Sequence, residues 1–348
     1  MKKRESAAAL VLVVAFAGIA AIAGGAGAST TRASDTTLTG AGATFPFPLI
    51  SKWIPALGSA YGITVNYSPI GSGGGIAAVT ARTVDFGASD APLSPDQFTA
   101  CKGCVQLPWA LSATSVMYNL PGVNCSLHLT GSIIANIYLG KVASWNDASI
   151  KAINSKCSLP STKITPVYRS DNSGTSYNFT DYLSAVSAEW KSKLGVGTNA
   201  QWPAGVGAKG SSGVAGVVTK TEGAIGYADV AYALKNKIRF ASILNASGKY
   251  ATPGLRGIAA AAATLPAKIT SNGALSIVNP PKGNSLAYPI STFTYVIVPI
   301  VSPKAAELRK MIYWCVTQGQ KLGPPLLFQR LPRQVQAFDF KQIKLITG

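Results

Sequence analysis

Acidic residues are scarce in this 348-residue chain: 13 Asp+Glu face 31 Lys+Arg, a formal net charge of +18 although only 13% of residues are charged. The basicity therefore comes mainly from missing acids. Beyond the first four residues there is no dense Lys/Arg run and no aromatic-plus-basic segment, so no nucleic acid partner is expected. The single histidine, His128, is too little for the usual metal site, and no cofactor is expected. Neither G-x-x-x-x-G-K-[ST] nor G-x-S-x-G occurs, which removes the usual signals of nucleoside triphosphate binding and of a serine hydrolase. No repeat of fixed period is present, and past residue 29 no apolar run is long enough to span a bilayer.

What is present is apolar material for two cores. The length exceeds one ordinary single-core domain, and 47% of residues are hydrophobic, which excludes disorder as the main description. The chain opens Met1-Lys2-Lys3-Arg4, runs uncharged over 6–29 with an apolar stretch over 7–23, and reaches small residues at Ala26-Gly27-Ala28. Residues 1–28 therefore read as a secretory signal peptide cleaved after Ala28, the alternative being a retained anchor. The protein is expected to be exported, in a periplasm or on the outer face of the cytoplasmic membrane. In that oxidising setting five cysteines favour disulfides. Cys101 and Cys104 are expected to pair locally, which would leave Cys125 and Cys157 for a second bridge. Cys315 shares an apolar helix face with Leu308, Met311 and Ile312 and is expected to be a buried free thiol. A redox-active Cys101-x-x-Cys104 is disfavoured, because no thioredoxin-like strand-helix-strand setting surrounds it.

Along the chain, 63–70 reads as a strand, 76–82 as a short helix and 84–88 as a strand, an alternation typical of an α/β domain with a mainly parallel sheet. The pattern recurs with a strand over 164–168 and a helix marked by Phe179, Tyr182, Leu183 and Val186. Residues 224–227 and 293–298 are further strand candidates, and Ser302-Pro303 is expected to cap a final helix to about Thr317. The Gly-rich stretch 205–216 reads as a loop, and the Ala-rich region 257–265 suggests no role.

Three polar turns carry the chemical information: Gly40-Ala41-Gly42-Ala43-Thr44-Phe45-Pro46, Gly71-Ser72-Gly73-Gly74-Gly75 and Arg169-Ser170-Asp171-Asn172-Ser173-Gly174-Thr175-Ser176. Each precedes a predicted helix. Each thus offers backbone N–H groups at the positive end of a helix dipole, with hydroxyl donors beside them, a geometry suited to a phosphate-like oxyanion. A Gly/Ser turn before a helix is also the ordinary form of an N-cap, so any one turn alone says little. Asp90, in Asp85-Phe86-Gly87-Ala88-Ser89-Asp90-Ala91-Pro92, is discordant beside an anion. It is either a plain turn residue or the acceptor for the proton of a protonated oxyanion.

With these residues the sequence resembles the periplasmic phosphate-binding proteins of phosphate ABC transporters. Ile137-Tyr138-Leu139-Gly140-Lys141, Trp145-Asn146-Asp147 and Gly223-Ala224-Ile225-Gly226-Tyr227 add to the likeness, which spans about 38–320 and is weakest over 245–288. The resemblance implies an α/β, two-lobed periplasmic-binding-protein (type II) fold, with a hinge and a ligand cleft between lobes. The first lobe is expected over 35–110 and again over 286–348, and the second over 111–285, with crossings near 107–115 and 281–289. It also implies a monomeric receptor that binds inorganic phosphate and delivers it to transmembrane permease subunits, without catalysis. Thr44, Phe45 (through its backbone N–H) and Ser72 are expected to donate to phosphate, and Asp90 to accept its proton. By the same resemblance Arg169 is expected to supply the charged contact, Ser173, Gly174 and Thr175 to donate further, and Asp171 to brace the arginine. Gly73 stands where the family often has Ser, and the cysteines are additions. The competing readings are a same-fold binder of sulfate or molybdate, a secreted phosphatase or hydrolase, and a scaffold that kept the fold alone. Sequons at Asn66, Asn124, Asn178 and Asn245 complete the inventory; Asn178 follows the third turn so directly that its modification is not expected.

Overall fold

The computed structural model describes residues 36–269 and 272–348, so the predicted signal peptide over 1–28 lies outside it. The described chain begins with β1 (Thr36–Gly42), α1 (Phe47–Tyr61), β2 (Ile63–Ser68), α2 (Ser72–Thr80), β3 (Phe86–Ser89), α3 (Pro95–Ala100) and β4 (Cys104–Tyr118). β1 lies between β2 and β3 and is parallel to both. In β2, Ile63 and Val65 point inward while Thr64 and Asn66 face solvent, the period-two pattern of a sheet covered on one face. α1 buries Leu49, Ile50, Trp53 and Leu57 on one stripe, and it stops where Gly62 adopts the left-handed conformation.

The middle of the chain supplies β5 (His128–Leu129), α4 (Gly131–Tyr138), α5 (Ala148–Ala152), β6 (Thr165–Arg169), α6 (Gly174–Val186), α7 (Ala188–Lys193), β7 (Val206–Ala208), α8 (Gly210–Lys220) and β8 (Ala224–Asp229). It continues through α9 (Val230–Lys235), β9 (Arg239–Phe240), β10 (Ser242–Leu244), β11 (Tyr250–Ala251) and α10 (Leu255–Ala262). β6 pairs in parallel with both β7 and β8, repeating the arrangement of β1. The C-terminal part is β12 (Ser291–Pro299), α11 (Ala305–Val316) and α12 (Arg333–Ile343).

β4 joins the two parallel sets into one sheet, in the order β2-β1-β3-β12-β4-β8-β6-β7. All fifteen of its residues are buried. Its first part, as far as Ala113, pairs antiparallel with β12, whereas Thr114–Tyr118 pairs with β8. A central strand normally excludes proline, because proline cannot donate to the ladder. Pro108 is accommodated at an irregularity in register opposite Thr294 and Tyr295, where Trp109 is the extra residue and its Nε1 donates to Thr294 Oγ1 at 2.9 Å. The result is a two-lobed α/β protein in which β4, between β12 and β8, links the two parallel sets of strands.

Several expectations need correction. The glycine-rich stretch 205–216 is not a loop: it contains β7 and most of α8. Val214 and Val218 lie one turn apart and pack so closely on Gly226 that a Cβ there would come within 2.7 Å of Val218, so burial overrides the poor helix propensity of the glycines. Residues 257–265 fall largely in α10, which buries Ile258 and Ala261. α2 begins at Ser72 rather than near Ile76, because the glycine turn is itself the first helical turn. Lys304, not Ser302, occupies the N-cap position of α11, although Ser302 Oγ accepts the Lys304 N–H at 3.2 Å. Nor is α11 the last helix, since α12 follows. Cys101–Cys104 and Cys125–Cys157 are bonded, and Cys315 is buried and free.

Candidate functional site

The three turns, the end of β3 and the N-terminus of α8 converge at the C-terminal ends of parallel strands, where open α/β sheets place their ligands. One wall comes from the β1–α1 turn, the start of α2 and the end of β3, carrying Thr44, Phe45, Ser72 and Asp90. The facing wall comes from the β6–α6 turn and α8, carrying Arg169, Asp171, Ser173, Gly174, Thr175 and Ser211. The walls touch. Gly73 N–H donates to Asn172 O at 3.0 Å, and Asn178 Nδ2 donates to Asp90 O at 3.0 Å. A Cβ on Gly174 would fall 2.5 Å from Ser72 Oγ and 2.7 Å from the Asp90 nitrogen, so only glycine permits this approach. Gly71 is required for two reasons: its φ of 95° is left-handed, and a Cβ there would lie 2.6 Å from Asp171 Oδ2.

Arg169 is 2% exposed. Its Nε donates to Asp171 Oδ1 at 2.7 Å and its Nη2 to Asp171 Oδ2 at 2.5 Å, a two-point pair that fixes the plane of the guanidinium. Gly210 N–H donates to the same Asp171 at 2.9 Å. Burial pushes the Asp171 carboxyl up, but the hydrogen bonds and charge of Arg169 prevail and hold it below its ordinary value. The remaining donor, Nη1, reaches Thr175 Oγ1 at 3.3 Å and Ser211 Oγ at 3.4 Å.

Asp90 is the opposite case. It is also 2% exposed, yet its Oδ1 has no hydrogen-bond partner and its Oδ2 accepts only from Thr175 Oγ1, at 3.1 Å. Burial raises its pKa from 3.8 to about 7, against the pull of Arg169 and the Thr175 hydroxyl. The nearby hydroxyls are arranged to donate. Ser72 Oγ accepts the Asp90 N–H at 3.1 Å and Ser173 Oγ accepts the Ser176 N–H at 3.1 Å, so each has its own hydrogen left to give. The Phe45 side chain packs in the core, edge-on to Phe328. Only its backbone faces the turn.

All eight residues expected to touch ligand, and the brace Asp171, are thus brought together on two facing walls. Sequence reasoning missed Ser211, Asn178 as a tie to Asp90, and Tyr232, whose Oη donates to Thr44 O at 2.6 Å. Ser211 had a legible signal, since Gly210-Ser211-Ser212-Gly213 follows a strand and opens a helix, as the glycine turn of α2 does. Asn178 is 4% exposed, which closes that sequon to a glycan.

A family model described as a PBP superfamily domain matches residues 27–317. The phosphate-binding protein PstS of Xylella fastidiosa strain Temecula1 is 41% identical over 315 residues, covering 88% of this chain and 86% of that protein. The chain belongs to the phosphate-binding protein family. Within this family, PstS of Haemophilus influenzae is 34% identical over 87% of this chain and 91% of its own. A high affinity periplasmic phosphate-binding protein solved with phosphate bound superposes with a TM-score of 0.71 at 19% identity, over 88% of this chain and 93% of that one, and shares its fold. Among the described residues no helix is long and apolar enough to cross a membrane, and no group of three or more His, Cys, Asp or Glu residues could hold a metal ion.

Proposed function

We propose that this family member is an exported receptor that closes its two lobes on inorganic phosphate and delivers it to the transmembrane permease subunits of an ABC transporter. The observation that carries this reading is Asp90: a buried carboxylate with a free oxygen, set among groups that otherwise only donate. Phosphate brings its own proton to that oxygen, while Thr44, Phe45, Ser72, Arg169, Ser173, Gly174 and Thr175 donate to the oxygens that carry none. Burial raises the Asp90 pKa to about 7, so the site favours a ligand that brings a proton to the free carboxylate oxygen. Sulfate has no proton to bring. It must enter against an ionised, unpaired carboxylate, or wait until Asp90 is itself protonated.

The reading of closure is supported by the partner change of β4 at Ala113 and Thr114, and by the Thr114 N–H, which donates to Ile290 O at 2.8 Å just before β12. These two crossings are the proposed hinge, with lobe one at 35–110 and 286–348 and lobe two at 111–285. A hydrolytic role is disfavoured because the only imidazole, that of His128, stacks on Tyr250 at 4.0 Å in the small β11-β10-β5 sheet, leaving Ser72 and Ser173 without that base.

Isothermal titration of the phosphate-stripped chain starting near Ser29, with phosphate and then sulfate at two pH values, tests the reading. One-to-one phosphate binding with sulfate silent above neutrality is the expected outcome. A folded protein that gives no phosphate heat would sink it.

A further inference from the structure

Ser211 lies outside the three turns, at the N-terminus of α8, and is fully buried. It bonds to both walls at once. Its Oγ lies 2.9 Å from Thr44 Oγ1 and 3.4 Å from Arg169 Nη1, and its N–H donates to Thr44 Oγ1 at 3.1 Å. The donor inventory fixes two of these three bonds. Arginine has donors only, so Ser211 Oγ must accept from Nη1. That acceptance leaves Ser211 its hydrogen and one more acceptor position, so the bond to Thr44 Oγ1 can run either way; when Ser211 gives the hydrogen, Thr44 Oγ1 receives both an O–H and an N–H. In that direction both acceptor positions of the threonine oxygen are occupied, and its own hydrogen is the one left to give.

Thr175 forms a parallel path, accepting from the same Arg169 Nη1 and donating to Asp90 Oδ2. The guanidinium therefore heads two hydroxyl relays that cross the cleft. One ends on a carboxylate oxygen and the other on a hydroxyl.

Resting on the phosphate-receptor reading, we infer that Ser211 is a positioning residue that orients the Thr44 hydroxyl as an obligate donor, so that the ligand's proton is confined to the Asp90 end of the site. It also ties the two lobes together in the closed form, because Thr44 belongs to one wall and Arg169 to the other. Without Ser211, Thr44 Oγ1 loses both its incoming O–H and the link to Arg169, and its hydrogen is free to turn away from the ligand.

A double-mutant cycle tests this, using phosphate titration and stopped-flow release with Ser211→Ala, Thr44→Val and the pair. Ser211→Ala is expected to weaken phosphate binding about tenfold, mostly through faster release, the range expected when a hydrogen bond linked to a charged group is lost. In the Thr44→Val background the same change is expected to cost less than about twofold, because the relay has no end. Equal losses in both backgrounds would overturn the inference, since they would mean that Ser211 acts only on packing. Ser211→Cys keeps the side-chain size with a poor donor, so it should bind as weakly as Ser211→Ala; recovery of wild-type affinity would overturn it too. Absence of phosphate binding by the unaltered chain is a separate result, and it would count against the receptor reading itself.

Discussion

The two walls of the cleft are built alike and charged differently. Each consists of strand ends leading into helix N-termini, and each holds an aspartate that is mostly shielded from solvent. On the β6–α6 wall Asp171 is paired with Arg169 in two-point fashion and held below its ordinary pKa. On the β3 wall Asp90 has an unpartnered oxygen and is pushed up to about 7. The comparison teaches that burial alone does not define a carboxylate's role. The partner decides: one acid fixes an arginine, and the other stands ready for a proton.

The strongest way to break the contrast is to remove the arginine. Arg169→Ala deletes the charged contact and leaves Asp171 unpaired, so phosphate affinity should fall by roughly a thousandfold or more, with a stability loss of about 3–5 kcal/mol. Titration and denaturant unfolding check both parts.

Asp90→Asn should make the walls more alike, with phosphate weakened about a hundredfold and the preference over sulfate narrowed. It should also stabilise the ligand-free protein near neutrality. The sign comes from the raised pKa. Below 3.8 the group is protonated in both folded and unfolded chains; between 3.8 and about 7 the unfolded chain loses its proton first, so stability falls as pH rises, and above that the full penalty remains. Thermal melts of the two proteins should therefore agree near pH 4 and diverge near pH 8, with the variant melting higher. Coincident melts at both pH values would contradict the raised pKa.

Gly174→Ala tests the contact between the walls. The added methyl would strike Ser72 Oγ and the Asp90 amide, so closure should be hindered and phosphate weakened about tenfold, while the melting temperature of the ligand-free protein changes little. The smallest expected effect needs no mutation. Lowering the pH from 8 to 6 protonates most of the Asp90 population, and sulfate affinity should rise by at most roughly tenfold, from undetectable toward measurable, with phosphate nearly unchanged. Flat sulfate titrations across that range would show that protonation of Asp90 does not admit sulfate.

Much of the site was legible because its parts are local. A strand, a short run of Gly and Ser, and an amphipathic helix are adjacent in sequence, so the turns at Thr44, Ser72 and Arg169 could be read directly from the chain. The stretch 205–216 shows where local reading fails: its glycines suggest a loop, yet Val214 and Val218 fold it onto Gly226 and place Ser211 in the cleft. The bond from Ser211 to Thr44 spans 167 positions, and no local pattern encodes such a contact. β4 was equally difficult, since its partner change depends on β12 and β8 arriving from distant parts of the chain.

By itself the amino-acid order determined the alternation of strands and helices, the three donor-rich turns and the presence of two acids, Asp90 and Asp171, beside or within them, because these follow from side-chain periodicity and from glycine and hydroxyl chemistry within a few residues. Only the tertiary structure decided that Asp90 would be buried with an oxygen free, that Asp171 would have the arginine, and that Ser211 would join the walls. Those outcomes depend on desolvation and on hydrogen-bond geometry, which exist only once distant segments are packed together.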